Sequence, residues 1–430
     1  MLDLHNPGEW DTSELEWFVL RRDAPPMEDD RLGTFLGQLR EIAGQRVAAG
    51  SRVGVAVGSR GISRIDEVVR AVVMVLGERG AEPVLIPAMG SHGGADANGQ
   101  LEVLHQLGID ERRLGIDVDA SMEVEHVGTL SGGQPVYLSQ AALGCDAIVP
   151  VNRVKPHTDF RAPVESGLTK MLTIGLGKEK GAASLHAAGF SAFADILPEA
   201  LELVLVRLSV PFGAAVIEDQ WHRLHSAEVV AGELILQRDE ALLAEAWGHF
   251  ARLPFADLDV LVLREMGKTI SGAGMDPNVT GRFPGHPLPA KTQVQRLAVL
   301  DLTEGSLGNA IGVGVADIVT ERLRSKIDWE ATYANAKASR SLAGAKLPVV
   351  VNSDFDALAL AVSSITSGGR GLPRMVAMES TLGTNHVAVS EPLLNEALSS
   401  GYAVVGAGSK AELDRAGNLL RIGDLDFFCR

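Results

Sequence analysis

Five residues in the first half of the chain carry side chains suited to acid–base, anion-binding, nucleophilic or metal chemistry: Arg60, His92, His157, Lys170 and His186. The first three lie in loops shaped by glycine or proline. These are Gly58-Ser59-Arg60-Gly61, Met89-Gly90-Ser91-His92-Gly93-Gly94 and Val151-Asn152-Arg153-Val154-Lys155-Pro156-His157-Thr158. A guanidinium forks onto a carboxylate or phosphate, and glycine lets backbone amides approach such an anion. Arg60 therefore reads as an anion clamp or, equally, as one half of a surface salt bridge. Histidine titrates near neutrality and serves as acid or base. A lone histidine is more often structural, but two of them at neighbouring strand ends suggest a catalytic pair.

The segment Glu165–His186 reads ESGLTKMLTIGLGKEKGAASLH. Lys170 precedes Met171-Leu172-Thr173-Ile174, where desolvation favours a neutral, reactive amine. Lys178 and Lys180 read as a solvated face. Gly175-Leu176-Gly177-Lys178-Glu179-Lys180-Gly181 resembles a loosened dinucleotide fingerprint, without a clear strand leading into it, and no Walker loop is present. A protein metal site takes three or four ligands. No His-x-x-x-His pair and no Asp/Glu/His cluster is evident in the sequence around His186, so a metal there must draw most of its coordination from a cofactor.

These groups need a scaffold that brings strand ends together. Arg52–Gly58 and Pro83–Ala88 read as buried strands around a helix over 63–78 capped by Ser63, a βαβ unit with parallel strands. Cys145–Val151 and Gly213–Ile217 read as further strands, and 198–208 as a helix with Pro198 in its first turn. A second series follows Pro254, with strands expected at 258–263, 297–302, 347–352 and 375–378 and a helix at 310–324. The expected fold is α/β, with two doubly wound domains of mostly parallel sheet and a ligand cleft between them. The expected division is a cofactor and catalytic-histidine domain over 1–254, with 405–430 as a candidate completion, and a substrate-closing domain over 255–404.

The chain has 430 residues, 39 basic against 55 acidic, for a formal charge of -16. Such a surface disfavours nucleic acid and anionic lipid as partners. Two cysteines, Cys145 and Cys429, exclude a disulfide framework and an all-cysteine metal site held by this chain alone. No signal peptide or membrane-length apolar run is visible, so the expected compartment is the cytoplasm.

Taken in order, these residues resemble the nickel-dependent lactate racemase family of hydroxyacid racemases and epimerases. Ser59-Arg60 is similar to that family's Thr-Arg, and Gly90-Ser91-His92 to its Gly-x-His loop. Pro156-His157 is similar to the opening of its central motif. Ser166-Gly167-Leu168-Thr169-Lys170 resembles the Ser-Gly-Gly-x-Lys that carries the cofactor, and His186 follows that lysine by sixteen residues.

The resemblance implies a nickel pincer nucleotide, pyridinium-3-thioamide-5-thiocarboxylic acid mononucleotide, joined to Lys170. Ser59, Gly167 and Thr169 would lie against it. Ni(II) would be held by the cofactor's two sulfurs and a ring carbon, with His186 as the fourth ligand; a square-planar set suits that ion. It also implies a 2-hydroxy acid substrate whose Cα hydride passes to the cofactor and back, with His92 and His157 exchanging the hydroxyl proton and Arg60 holding the carboxylate. Cofactor-biosynthesis enzymes are implied partners, and a homo-oligomer is compatible with the sequence.

The second half departs from the family's Gly-Gly-Tyr-Pro-x-x-Gln-x-x-Tyr-x-x-x-Lys pattern, reading Arg264-Glu265-Met266-Gly267-Lys268 and onward. This leaves the particular 2-hydroxy acid open. Lys268 is the candidate carboxylate partner there, or a structural loop lysine; Asn278 and Arg282 are weaker candidates. Two other readings stand beside the racemase: a pyridine-nucleotide 2-hydroxyacid dehydrogenase, and a non-catalytic nucleotide- or metal-binding relative.

Overall fold

The computed structural model describes residues 15–27, 31–58, 61–285, 288–366, 371–422 and 425. Ser59 and Arg60 lie outside the described residues. The chain divides into two compact units, Pro26–Phe250 and a unit joining Met1–Pro25 to Ala251–Arg430.

The Pro26–Phe250 unit is built on a five-stranded sheet ordered Glu82–Pro87, Arg52–Val57, Ala147–Arg153, Phe212–Glu218, Leu224–Ala231. The first four strands are parallel and the fifth returns antiparallel as a hairpin. Side chains alternate across a strand, and both faces are apolar. Val53, Val55, Val57, Val149 and Val151 pack on one side with Phe35, Leu39, Val68 and Val72. Ala56, Ile148, Ala215 and Ile217 pack on the other with Leu168, Leu197, Leu201 and Leu242. Helices thus cover both faces, the doubly wound arrangement expected of a buried parallel sheet.

Three local expectations change. The first helix after Arg52–Val57 is Ile65–Glu78, and the residue before it is Arg64 at φ 57°, with no side-chain cap. Ser63 instead donates its N–H to Glu218 Oε1 at 2.6 Å. The helix expected at 198–208 is Phe193–Arg207, so Pro198 lies inside it, beyond the first turn. The strand Leu224–Ala231, which the sequence reading passed over, completes the sheet.

The other unit holds an eight-stranded sheet ordered Val349–Val351, Ile318–Thr320, Gln293–Leu302, Asp257–Met266, Met375–Met378, His386–Ser390, Trp17–Arg21, Ala403–Ser409. Its first five strands are parallel and the rest antiparallel. The chain divides between Phe250 and Ala251, against an expected boundary at 254/255, and the termini fall in the other unit from the one expected for them. Trp17–Arg21 pairs between His386–Ser390 and Ala403–Ser409, so the chain's beginning and its last strands belong to this unit, not to the other. The expected helix 310–324 is also corrected. Ile318–Thr320 is a strand and Glu321–Ser325 a short helix capped by Thr320. The interruption comes from Gly312, at φ 95°, where a Cβ would sit 1.8 Å from Ala273 O.

Candidate functional site

Parallel α/β sheets bind ligands at the carboxyl ends of their strands, and the loops singled out above leave such ends. His92 follows Glu82–Pro87 and His157 follows Ala147–Arg153. One strand, Arg52–Val57, lies between the two strands that these loops leave, which sets those strands about 10 Å apart in a sheet with neighbours about 4.8 Å apart.

The segment after His157 forms the floor. Phe160, Phe190 and Phe193 pack on one another with ring centroids 5.0–5.8 Å apart. Three of the sequence candidates meet them. His157 lies 4.4 Å from Phe160, and His186 lies 5.6 Å from Phe190 and 5.3 Å from Phe193. Lys170 Nζ stands 5.3 Å from the Phe160 centroid. The His92 loop is tied to the same segment, because Gly90 N donates to Gly175 O at 3.1 Å.

Lys170 ends a single helical turn, Gly167–Lys170, which runs into a π-helical turn at Met171–Gly175; π-turns recur at functional sites. The turn is fixed by residues the sequence reading did not single out. Asp239, on Ile235–His249, accepts from Leu168 N (3.2 Å) and Thr169 N (2.6 Å) and so satisfies the helix start. Burial raises its pKa to about 6, against the lowering effect of the Thr169 amide. Asn152 Nδ2 donates to Gly167 O at 2.9 Å, and Ser166 Oγ both accepts from Lys155 N and donates to Lys155 O. Gly167 sits at φ 88° with Asp239 Oδ1 2.4 Å from where a Cβ would be. Gly167→Ala should therefore cost about 1–3 kcal/mol from strain, more if Asp239 is displaced. Urea denaturation reads this directly, and an unchanged midpoint contradicts it.

His157 is held from both ends. Its N–H donates to Glu165 Oε2 at 2.7 Å, and Arg161 donates to its carbonyl at 2.8 Å. Burial pushes the Glu165 carboxyl up in pKa, opposed by the His157 amide and the Arg161 charge. On the ring, Nδ1 accepts from Asp159 N at 3.1 Å, and Asp159 Oδ2 lies 3.7 Å from the same nitrogen. His186 is oriented differently: Nδ1 donates to Ala182 O at 2.5 Å, which puts the lone pair of the neutral ring on Nε2. A backbone carbonyl orienting the far nitrogen is the usual support of a metal-bound imidazole.

Lys178 is not on a solvated face, contrary to expectation. It is fully buried, with Nζ donating to Pro87 O at 2.7 Å and Gln100 Oε1 at 3.1 Å. Gln100 Nε2 in turn donates to Gly90 O and His92 O. The pair thereby pins the backbone of the His92 loop, while the His92 side chain is exposed. Burial lowers the Lys178 pKa to about 8. The unfolded lysine titrates near 10.4, so between pH 8 and about 10 the unfolded chain binds the extra proton and folded stability rises with pH. Lys178→Met should lose that rise, about 3 kcal/mol at full extent. Urea melts at pH 7.5 and 10 test it; a variant with the wild-type pH slope contradicts it.

Gly175–Gly181 is not a dinucleotide loop. A π-turn leads into it rather than a strand, and Gly177 and Gly181 pack on each other and on Tyr137. Of the candidates in the other unit, Lys268 Nζ donates to Gly272 O and Asn335 Oδ1, both at 2.8 Å, and so holds its own loop. Arg282 binds Val294 O, Gln295 O and Asp317. Asn278 is largely buried.

No family model and no curated protein sequence matches the chain. Solved structures do. The lactate racemase apoprotein from Thermoanaerobacterium thermosaccharolyticum superposes over 87% of this chain and 95% of its own, with TM-score 0.51 and 12% sequence identity. This chain has the lactate racemase fold. A protein of Thermotoga maritima is also similar, at TM-score 0.49 and 16% identity over 64% of this chain and 72% of its own. At 12% identity the lactate racemase likeness concerns architecture, and the chemistry rests on the side chains described above. Among the described residues no helix is long and apolar enough to cross a membrane.

Proposed function

We propose that the chain is an isomerase that inverts the C2 centre of a 2-hydroxy acid through a 2-keto acid, using a nickel pincer nucleotide attached to Lys170. The observation that carries this reading is the meeting of Lys170, His186 and His157 on the Phe160–Phe190–Phe193 floor, with the His186 lone pair directed to Nε2.

The residues fit such a group. The amine of Lys170 supplies the attachment point, the phenyl rings give a flat heterocycle apolar surface, and Nε2 of His186 suits a borderline ion such as Ni(II). Gly167 and Thr169 shape the turn that presents Lys170. When bound, the cofactor supplies a reversible hydride acceptor, chemistry no side chain of this chain offers.

The protein's own work is proton transfer and orientation. Inversion demands an acid and a base on opposite faces of a planar carbon, and His92 and His157 leave strand ends separated by one strand. In the neutral form held by the Asp159 amide, His157 carries its proton on Nε2. Once the ring is protonated, the Asp159 carboxylate is the acceptor for Nδ1–H. Both forms present an Nε2–H donor to a keto oxygen. A proton retained on Nδ1 by that carboxylate leaves Nε2 able to take one back, as the reverse direction needs. The Phe160 and Phe190 rings lie against the His157 ring, with centroids 4.4 and 5.8 Å away. Arg60 is the proposed carboxylate partner, with Ser59 beside the cofactor, while the Lys268 amine is held by Gly272 O and Asn335 in its own loop.

The test is a panel of single-enantiomer 2-hydroxy acids offered to protein co-expressed with cofactor-biosynthesis enzymes. Inversion at C2 without added nicotinamide supports the reading. Turnover only with added NAD, giving accumulated 2-keto acid, would instead establish the dehydrogenase.

A further inference from the structure

A second cluster of ligand-type side chains lies in the Pro26–Phe250 unit, among residues the proposed reaction does not use. His225 stands on the edge strand Leu224–Ala231, and Glu245 and His249 on the helix Ile235–His249. Glu245 and His249 are four residues apart and so share one helical face. One ligand atom from each of the three residues lies within 4.8 Å of the others. His225 Nε2 is 3.8 Å from Glu245 Oε1, and the two imidazoles stack with centroids 3.6 Å apart and planes at 29°.

We propose that His225, Glu245 and His249 form a binding site for one divalent transition cation of the zinc class, separate from the nickel site. Two imidazoles and a carboxylate are a donor set that zinc accepts, with a fourth position left to water. Bonds of about 2.0–2.1 Å place tetrahedral ligands about 3.3 Å apart, so atoms now within 4.8 Å of one another need to close by about 1.5 Å at most. Rotation of the half-exposed Glu245 side chain and of the two rings supplies that.

One neighbouring cation is Arg31, and Arg238 also lies within electrostatic reach of Glu245. Arg31 Nη1 donates to the carbonyls of Leu224 and His225 and reaches His225 Nδ1 at 3.4 Å, the longest of the three contacts. Loading Nε2 moves the ring proton to Nδ1 and gives up that longest contact while the two carbonyl bonds remain.

The site has a mechanical consequence. It joins the edge strand to the helix whose Asp239 caps the Lys170 turn; Glu245 and His249 lie about 9 and 15 Å further along that helix. Metal there would stiffen the support of the cofactor lysine from behind.

The experiment is equilibrium dialysis of full-length protein, stripped with chelator, against micromolar Zn(II), followed by metal analysis and thermal melts. Wild type and His186→Ala should each bind one equivalent more than the His225→Ala/His249→Ala double variant. Zinc should raise the Tm of the first two and not of the third. Circular dichroism of the metal-free double variant establishes that it is folded, and Glu245→Gln, at an exposed position, should weaken binding without a change in the metal-free Tm. Equal zinc binding in wild type and the double variant overturns the proposal. Because zinc uptake and Tm are read without turnover or cofactor, the outcome is independent of whether the racemase reading holds.

Discussion

His157→Gln should lower the rate of C2 inversion by about 10²–10⁴, the usual contribution of a positioned acid–base group, with cofactor attachment and nickel content unchanged. Glutamine keeps a comparable volume beside Phe160 and keeps an N–H donor, but it cannot take up and release a proton. The backbone bonds that hold the loop, His157 N to Glu165 and Arg161 to His157 O, do not involve the side chain and should survive. The loss should appear in kcat rather than KM, because the proton moves in the transition state and binding of the carboxylate lies elsewhere. His92→Gln should act alike, since the Lys178–Gln100 pair holds the backbone of its loop and not its ring. Rates and metal content measured on the same preparation decide the matter; near-normal turnover in either variant removes that histidine from the chemistry.

His186→Ala should abolish stoichiometric nickel at the cofactor while leaving the mass adduct on Lys170. The two residues meet the same phenyl cluster, and on the proposed reading the amine would contribute a covalent bond and the imidazole a coordinate one. The Ala182 carbonyl fixes the ring's tautomer and leaves Nε2 as the nitrogen with a lone pair to offer. Without it three donors remain, all from the cofactor. The measurement is metal content with intact mass, made in the His225→Ala/His249→Ala background so that the second cluster contributes nothing. Full nickel occupancy in His186→Ala would place the fourth ligand on another residue.

The alternating α/β character of both halves was legible because buried parallel strands such as Arg52–Val57 and Asp257–Met266 are nearly continuous apolar runs. Short elements set by distant partners were not. Trp17–Arg21 carries four apolar residues in a row, a run too short to tell strand from helix, and it is a strand because His386–Ser390 and Ala403–Ser409 bond to either side of it. Ile318–Thr320 reads as part of a helix until Gly312 is seen to need a left-handed backbone against Ala273 O. Within the candidate site, loop chemistry singles out the residues with reactive groups but not the residues that support them. Asp239 lies 69 positions from Lys170 and acts on backbone amides, leaving no spacing to read. Lys178 looked solvated beside Glu179 and Lys180, yet the turn after the π-helix points it inward to Pro87 O. The Glu245/His249 spacing was present in the sequence, but its third member, His225, comes from a hairpin strand that the sequence reading passed over.

The most direct test is the intact mass of the full-length protein purified after co-expression with cofactor-biosynthesis enzymes, followed by peptide mapping. A covalent nucleotide adduct on the peptide containing Lys170, absent from Lys170→Arg, is the predicted result. An unmodified Lys170 in protein that nevertheless racemises a 2-hydroxy acid would contradict the account.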